Sequence, residues 1–326
     1  MNEIASSGFK VVRVWGFGTL NNPPSYPSEI YFQTLNSSGQ FFNLDPATGV
    51  PRLDYVVAQA EKLGLKLILA LLNNFDDLGG INTYTNTYGG DHNGFYTNTA
   101  AQNAYKAYIK FIVERYRKSN AVFSWELANE PRCSTCSTDV ITTWATDVSA
   151  YIKGVDKGRH MVSLGDEGWL TPVFTGGGGV VGGDGTYAYS GYEGVDFERN
   201  LQIKTLDYGT VHLYPNQWGY NYTWGSTWIS QHNYLGKKYN KPVILEEYAA
   251  PTPELRMEFL PQWHDTILKK TSIAGNMVWQ FGTPFTDTSP FDQYAVYYSE
   301  DPASEYQSLL VKQAKAMARK IPIAIQ

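Results

Sequence analysis

Apolar runs rich in β-branched residues recur along the chain, each followed by a loop and then by a segment of helical periodicity. The strand-like runs fall at 10–17, 65–72, 121–128, 160–164, 206–213, 242–248 and 274–281. Helical spacing of apolar positions falls at 53–63, 100–117, 140–155, 227–239, 253–270 and 306–320. The connection before residue 206 is irregular and Gly-rich, with at most a short helix near 197–203. Strands alternating with helices predict a parallel sheet. Unbroken apolar runs, in place of an apolar–polar alternation, predict strands buried on both faces. The fold class expected is therefore α/β, a (β/α)8 TIM barrel. Seven of its strands are read here, and residues 2–8 look like the tail of a helix leading into the first of them. The barrel's own first β-strand is thus expected to precede Met1, and its loss would leave two unpaired sheet edges.

Composition narrows the class. At 326 residues, 43% hydrophobic and 17% charged, the chain can bury one sizeable core. No linker or internal repeat divides it, so residues 1–326 are expected to form a single catalytic domain. A net charge of −5, with no run of Lys or Arg, argues against nucleic acid as a partner. No apolar stretch reaches the ~18 residues of a membrane-spanning helix. The start Met1-Asn2-Glu3-Ile4 has neither the basic residues nor the apolar run of a signal peptide. The Gly-rich stretch 175–185 lacks the strand–GxGxxG–helix context of a nucleotide site and reads as a flexible loop. Aromatic residues are the outlier, with 24 Tyr, 9 Trp and 15 Phe. Many stand beside Gly, Asn and Asp, as in Asn216-Gln217-Trp218-Gly219-Tyr220, where some anchor loops and others could offer flat faces to the C–H faces of sugar rings.

In a parallel barrel the functional side chains gather at the C-terminal ends of the strands. Those ends carry polar residues that an apolar strand does not need: Arg13, then Asn129-Glu130-Pro131-Arg132, His212-Leu213-Tyr214, Glu246-Glu247-Tyr248 and Trp279-Gln280. Taken one at a time, a Glu after a strand is usually a cap or solvated, and a buried Arg usually pairs with a structural acid. Their coincidence at strand ends points to chemistry. Two carboxylates suit glycoside hydrolysis, where one acid protonates the leaving oxygen and a second carboxylate attacks the anomeric carbon. In that scheme Glu130 needs a raised pKa, Glu247 stays ionised with Arg13 as its cation, and Tyr214 donates to Glu247. Asn129 would bind the sugar 2-hydroxyl, His212 would orient Glu130 or bind sugar, and Trp279 would floor the reacting subsite. Strand alternation sends one of Glu246 and Glu247 inward and the other outward, without saying which.

Together these residues resemble glycoside hydrolase family 5, and more narrowly its fungal endo-β-1,4-mannanases. The likeness is carried by Asn129-Glu130-Pro131, His212-x-Tyr214, Glu247 before an aromatic, and Trp279. Longer segments add to it: Trp125-Glu126-Leu127-Ala128 leading into that motif, Leu164-Gly165-Asp166-Glu167-Gly168, and Asn221-Tyr222-Thr223-Trp224-Gly225. The resemblance implies a retaining mechanism without a cofactor or metal, with Glu130 as acid/base, Glu247 as nucleophile and Glu246 as a structural neighbour. It implies substrate contacts for Arg13, Asn129, Arg132, His212, Tyr214, Trp218, Trp279, Phe75 and Glu167. Phe75 stands where the family usually has Trp, and Ala249 where it usually has Gly. The region after Ala249 lacks the further cysteines that many relatives carry.

The two cysteines, Cys133 and Cys136, form a CxxC that by itself suits a redox pair or half a zinc site. The resemblance implies a disulfide beside the acid/base instead, and with it an oxidising compartment and secretion. The partner implied is a β-mannan polysaccharide or oligosaccharide, met by a monomer, with neither nucleic acid nor membrane involved. Asn36-Ser37-Ser38 and Asn221-Tyr222-Thr223 have the form of glycosylation sequons.

Overall fold

The computed structural model describes residues 1–282, 293–297 and 304–320. They fall into two compact units. One comprises Lys10–Trp169 with Gly191–Asp207, and the other Asn2–Phe9, Leu170–Ser190 and the described residues from Tyr208 onward.

The first unit holds a four-stranded parallel sheet of β1 (Val11–Trp15), β2 (Lys66–Ala70), β3 (Val122–Glu126) and β4 (Met161–Ser163), paired in that order. Because parallel neighbours cannot be joined by a tight turn, each connection is a crossover through a helix. These helices are α1 (Pro51–Leu63), α2 (Thr99–Tyr116) and α3 (Asp139–Asp156). Helix α2 shows why the sequence folds this way. The Asn98 side chain caps it, accepting from the amides of Ala100 and Ala101. Its buried positions, 101, 104, 105, 108, 109, 112, 113 and 116, make one continuous stripe. From that stripe Tyr108 donates to the carbonyl of Gly16 at 2.6 Å, and Tyr105 donates to that of Leu127. Two features escaped the sequence pattern: the antiparallel hairpin of Gln33–Asn36 with Gly39–Phe42, and the helix Ile81–Tyr88. Both are short, and the helix is made largely of Thr, Asn and Tyr, so neither gives a clear periodicity.

The second unit holds a three-stranded parallel sheet of β5 (Gly209–Leu213), β6 (Val243–Tyr248) and β7 (Gly275–Val278), with β6 central. Helix α4 (Trp224–Lys238) joins β5 to β6. Helix α5 (Pro253–Asp265), continued by a π-turn over Thr266–Lys270, joins β6 to β7. Helix α6 (Glu305–Met317) follows. Close approach fixes one helix–helix contact here. A Cβ at Gly225 would sit 2.4 Å from Nε1 of Trp263, so only glycine lets α4 pass that ring. The seven parallel strands coincide with the seven strand-like runs, and the six helices with the helical ones. The short helix near 197–203 is Phe197–Asn200, and the chain opens on a helix at Asn2–Ser6.

Candidate active site

In the first unit, the ends of β1, β2 and β3 build a polar cluster around two cations. Arg13 lies within β1. Its Nε and Nη2 donate to Glu126 at 2.9 and 2.6 Å, and Nη2 also donates to Asn129 Oδ1 at 2.8 Å. Both side chains of the ion pair are buried, at 6% and 0% exposure. Glu126 was not singled out from the sequence, although an acid closing an apolar strand four residues before Glu130 is a signal. A buried Arg and a buried Glu each need the other, so the pair fixes both side chains. Asn129 is gripped at both ends, since its Nδ2 donates to Asn73 Oδ1 at 2.9 Å.

Glu130 follows with φ 48°, a left-handed backbone that non-glycine residues rarely adopt and that recurs at functional sites. Three hydrogen bonds hold this turn. Glu130 N donates to Gly165 O at 2.9 Å, Asn74 N to Asn129 O at 3.0 Å, and Arg132 N to Asn74 Oδ1 at 3.1 Å. Gly165 is required there, because a Cβ would meet Ala128 O at 2.0 Å and the Glu126 carboxylate at 2.6 Å. His92 braces Asn74 from behind, with Nε2 2.9 Å from Asn74 Oδ1.

Arg132 is the second cation. Its Nη2 reaches Glu130 Oε2 at 3.3 Å and also donates to Glu167 Oε1, while Nε donates to Glu167 Oε2 at 3.0 Å. Glu193 lies 3.9 Å from Nη1. Burial alone would lower the guanidinium's proton affinity, but Glu167, Glu130 and Glu193 outweigh it and hold it above its ordinary value. Phe75 and Trp169 lie against the same guanidinium, their ring centroids 5.4 and 5.9 Å from its carbon. Phe75 is 39% exposed, so much of its ring is open to solvent. Glu167 is buried and takes a further hydrogen bond from Trp169 Nε1 at 2.8 Å. Cys133 and Cys136 form the disulfide that the resemblance implied, with Cα atoms 5.4 Å apart. Its loop is tied down by Cys133 N to Glu193 O at 2.9 Å and by Ser134 Oγ to Glu193 Oε2 at 2.6 Å.

In the second unit, β5 and β6 bring His212, Tyr214, Glu246 and Glu247 together. The Tyr214 hydroxyl donates to Glu247 Oε2 at 2.8 Å, as expected from the sequence. The expected alternation of Glu246 and Glu247 is corrected. Both are buried, at 1% and 6% exposure, and both face the His212 ring. Glu246 Oε2 lies 3.5 Å from Nε2, and Glu247 Oε2 lies 3.7 Å from Nδ1. The cause is a bulge in β6. Val211 pairs with Leu245 but His212 pairs with Glu247, and on the other side Asn276 pairs with Leu245 but Val278 with Tyr248. One extra residue in β6 against both neighbours breaks the two-residue period and re-aims the side chains beside it. Trp218 packs edge-to-face with Tyr214, Trp224 and Trp228 and keeps 7% of its surface exposed. Trp279, just past β7, is half-buried, and its amide donates to Tyr248 O at 3.1 Å.

Comparison with known proteins identifies the chain as a glycoside hydrolase. The sequence model described as cellulase (glycosyl hydrolase family 5) matches residues 1–283. Mannan endo-1,4-beta-mannosidase A of Hypocrea jecorina is 46% identical over 318 residues, which cover 97% of this chain and 69% of that one. The protein of the same name from Podospora anserina is 43% identical over 305 residues, covering 93% and 78%. Among solved structures, the endo-1,4-beta-mannanase of Rhizomucor miehei superposes with a TM-score of 0.86 at 33% identity, covering 98% of this chain and 89% of that one. The endo-beta-1,4-mannanase of Thermotoga petrophila superposes with a TM-score of 0.82 at 31% identity, covering 99% and 73%. The chain belongs to glycosyl hydrolase family 5 and has the family's (β/α)8 barrel fold. Among the described residues, no helix is long and apolar enough to cross a membrane.

Proposed function

We propose that the chain is a retaining endo-β-1,4-mannanase in which Glu247 is the nucleophile and Glu130 the acid/base. The hydrogen bond from Tyr214 to Glu247 carries the assignment of roles. The hydroxyl holds one Glu247 oxygen, so the carboxylate that attacks is fixed in one orientation. The substrate rests on the relatives, whose names specify mannan and whose likeness extends over almost the whole chain.

The chemistry then runs in two displacements. Glu247 attacks the anomeric carbon while Glu130 gives its proton to the departing glycosidic oxygen. Glu130, now a carboxylate, takes a proton from water, whose oxygen attacks the same carbon and frees Glu247. Arg13 and Asn129 form a preset polar wall, with Asn129 assigned to the sugar 2-hydroxyl. Arg132, held by Glu167 and flanked by Phe75, is assigned to a neighbouring subsite, as is Trp218. His212 acts on Glu247, and Trp279 floors the reacting sugar. We take residues 1–326 as a single catalytic domain acting as a monomer. Secretion fits the Cys133–Cys136 disulfide.

Glu130→Gln and Glu247→Gln should each abolish nearly all turnover of mannan with the circular dichroism spectrum unchanged. Near-normal turnover in either variant refutes the roles. Reducing-sugar release should be far greater from mannan than from carboxymethylcellulose, and the early products should be mixed oligosaccharides; release of mannose alone would contradict endo action.

A further inference from the structure

We infer that Glu246 is a positioning residue that acts on the nucleophile through His212. The inference rests on the reading of Glu247 as nucleophile and adds a partner behind it. Three observations meet here. Glu246 is almost completely buried, and its carboxylate lies 3.5 Å from His212 Nε2. The opposite ring nitrogen, Nδ1, lies 3.7 Å from the Glu247 oxygen that also accepts from Tyr214. The bulge that puts both acids against one ring is registered independently by β5 and by β7, so it belongs to the strand and not to one pairing.

An apolar residue at position 246 would fill the space without the desolvation cost of a carboxylate. A buried acid at that place fixes the imidazole. With a carboxylate at each ring nitrogen, the arrangement favours a proton on both, Nε2–H toward Glu246 and Nδ1–H toward Glu247, which orients the ring. A ring held in this way keeps Glu247 in one rotamer with Tyr214, aimed for attack. The backbone supports the same geometry, since Trp228 Nε1 donates to His212 O at 3.0 Å and pins the strand at the ring. Without the bulge, alternation would turn Glu246 away from the face that Glu247 occupies, and no contact with His212 would exist.

The test is a kinetic set on the full chain with mannan oligosaccharide. Glu246→Gln should lower kcat about 10–100-fold with KM changed less than about threefold, the pattern of a misaligned reacting group and not of lost binding. Glu246→Asp, which keeps the charge, should recover part of that loss. His212→Asn should lower kcat as well, and the double variant Glu246→Gln/His212→Asn should lose little more than the worse single one, since both act on one path. Should Glu246→Gln fail to fold, Glu246→Asp alone and in combination with His212→Asn carries the same cycle. Wild-type kcat in Glu246→Gln, or losses that multiply in the double variant, would overturn the inference. Glu247→Gln is the control. If it is inert while Glu246→Gln is normal, only the positioning role falls; if Glu247→Gln keeps turnover, the reading of the nucleophile falls first.

Discussion

The Tyr214 hydroxyl stands 2.8 Å from Glu247 Oε2, both groups buried, and the two residues come from adjacent strands of one sheet. A hydrogen bond to a buried charged group contributes about 1.5–3 kcal/mol. Tyr214→Phe keeps the ring and its edge-to-face contact with Trp218 while removing the donor. The expected result is a kcat lower by about 10–100-fold with a melting temperature lower by only a few degrees. Steady-state kinetics and thermal denaturation check it together, and an unaltered kcat would remove Tyr214 from the mechanism.

Arg13 and Glu126 pair deep in the first unit, and removing one partner strands the other's charge. Glu126→Ala should therefore destabilise the fold by about 3–5 kcal/mol, measured by denaturant unfolding. Replacing both residues by apolar ones, as in Arg13→Met with Glu126→Leu, should cost less stability than the single change even though activity is lost. A single variant as stable as the wild type would show that the pair is not the anchor of the β1–β3 strand ends.

Acid stability should carry the mark of His264. Burial pushes this imidazole down to about 3 from an ordinary 6.5, and its Nε2 lies 2.8 Å from the Tyr248 hydroxyl, which in turn accepts from Asn276. The folded state therefore holds His264 neutral where the unfolded chain would bind a proton. Its contribution is full above about pH 6.5 and is lost as pH falls towards 3, by up to a few kcal/mol. His264→Gln should be less stable than wild type at pH 7, and its melting temperature should fall less between pH 6.5 and pH 4. Parallel melting curves for the two proteins over that range would contradict the assignment.

Much of this was legible in the chain. The seven apolar runs became the seven parallel strands. Strands β2 to β6 are largely buried on both faces, as such runs predict, while every residue of β1 and β7 is only half-buried. Glu130, Glu247 and Tyr214 stood out because polar residues closing such runs have no packing reason to be there. What stayed hidden depended on register and close approach. Glu126 closes β3 as an acid, but its role shows only when Arg13 is seen against it. The bulge at Glu246 has no signature in spacing, since one extra residue shows only against the partners in β5 and β7. The need for glycine at position 165 likewise appears only when Glu126 and Ala128 are placed beside it. Of the three carboxylates around Arg132, Glu193 comes from a distant loop, and no local pattern announces it.

The most direct measurement is to trap the reaction halfway. A 2-deoxy-2-fluoro mannosyl donor with a good leaving group slows both displacements and leaves the sugar on the nucleophile. After proteolysis, mass spectrometry should find one added fluorosugar, attached at Glu247 in the sequence Leu245-Glu246-Glu247-Tyr248. A label on Glu246, on Glu130 or on no residue of an enzyme that still turns over mannan would contradict the mechanism.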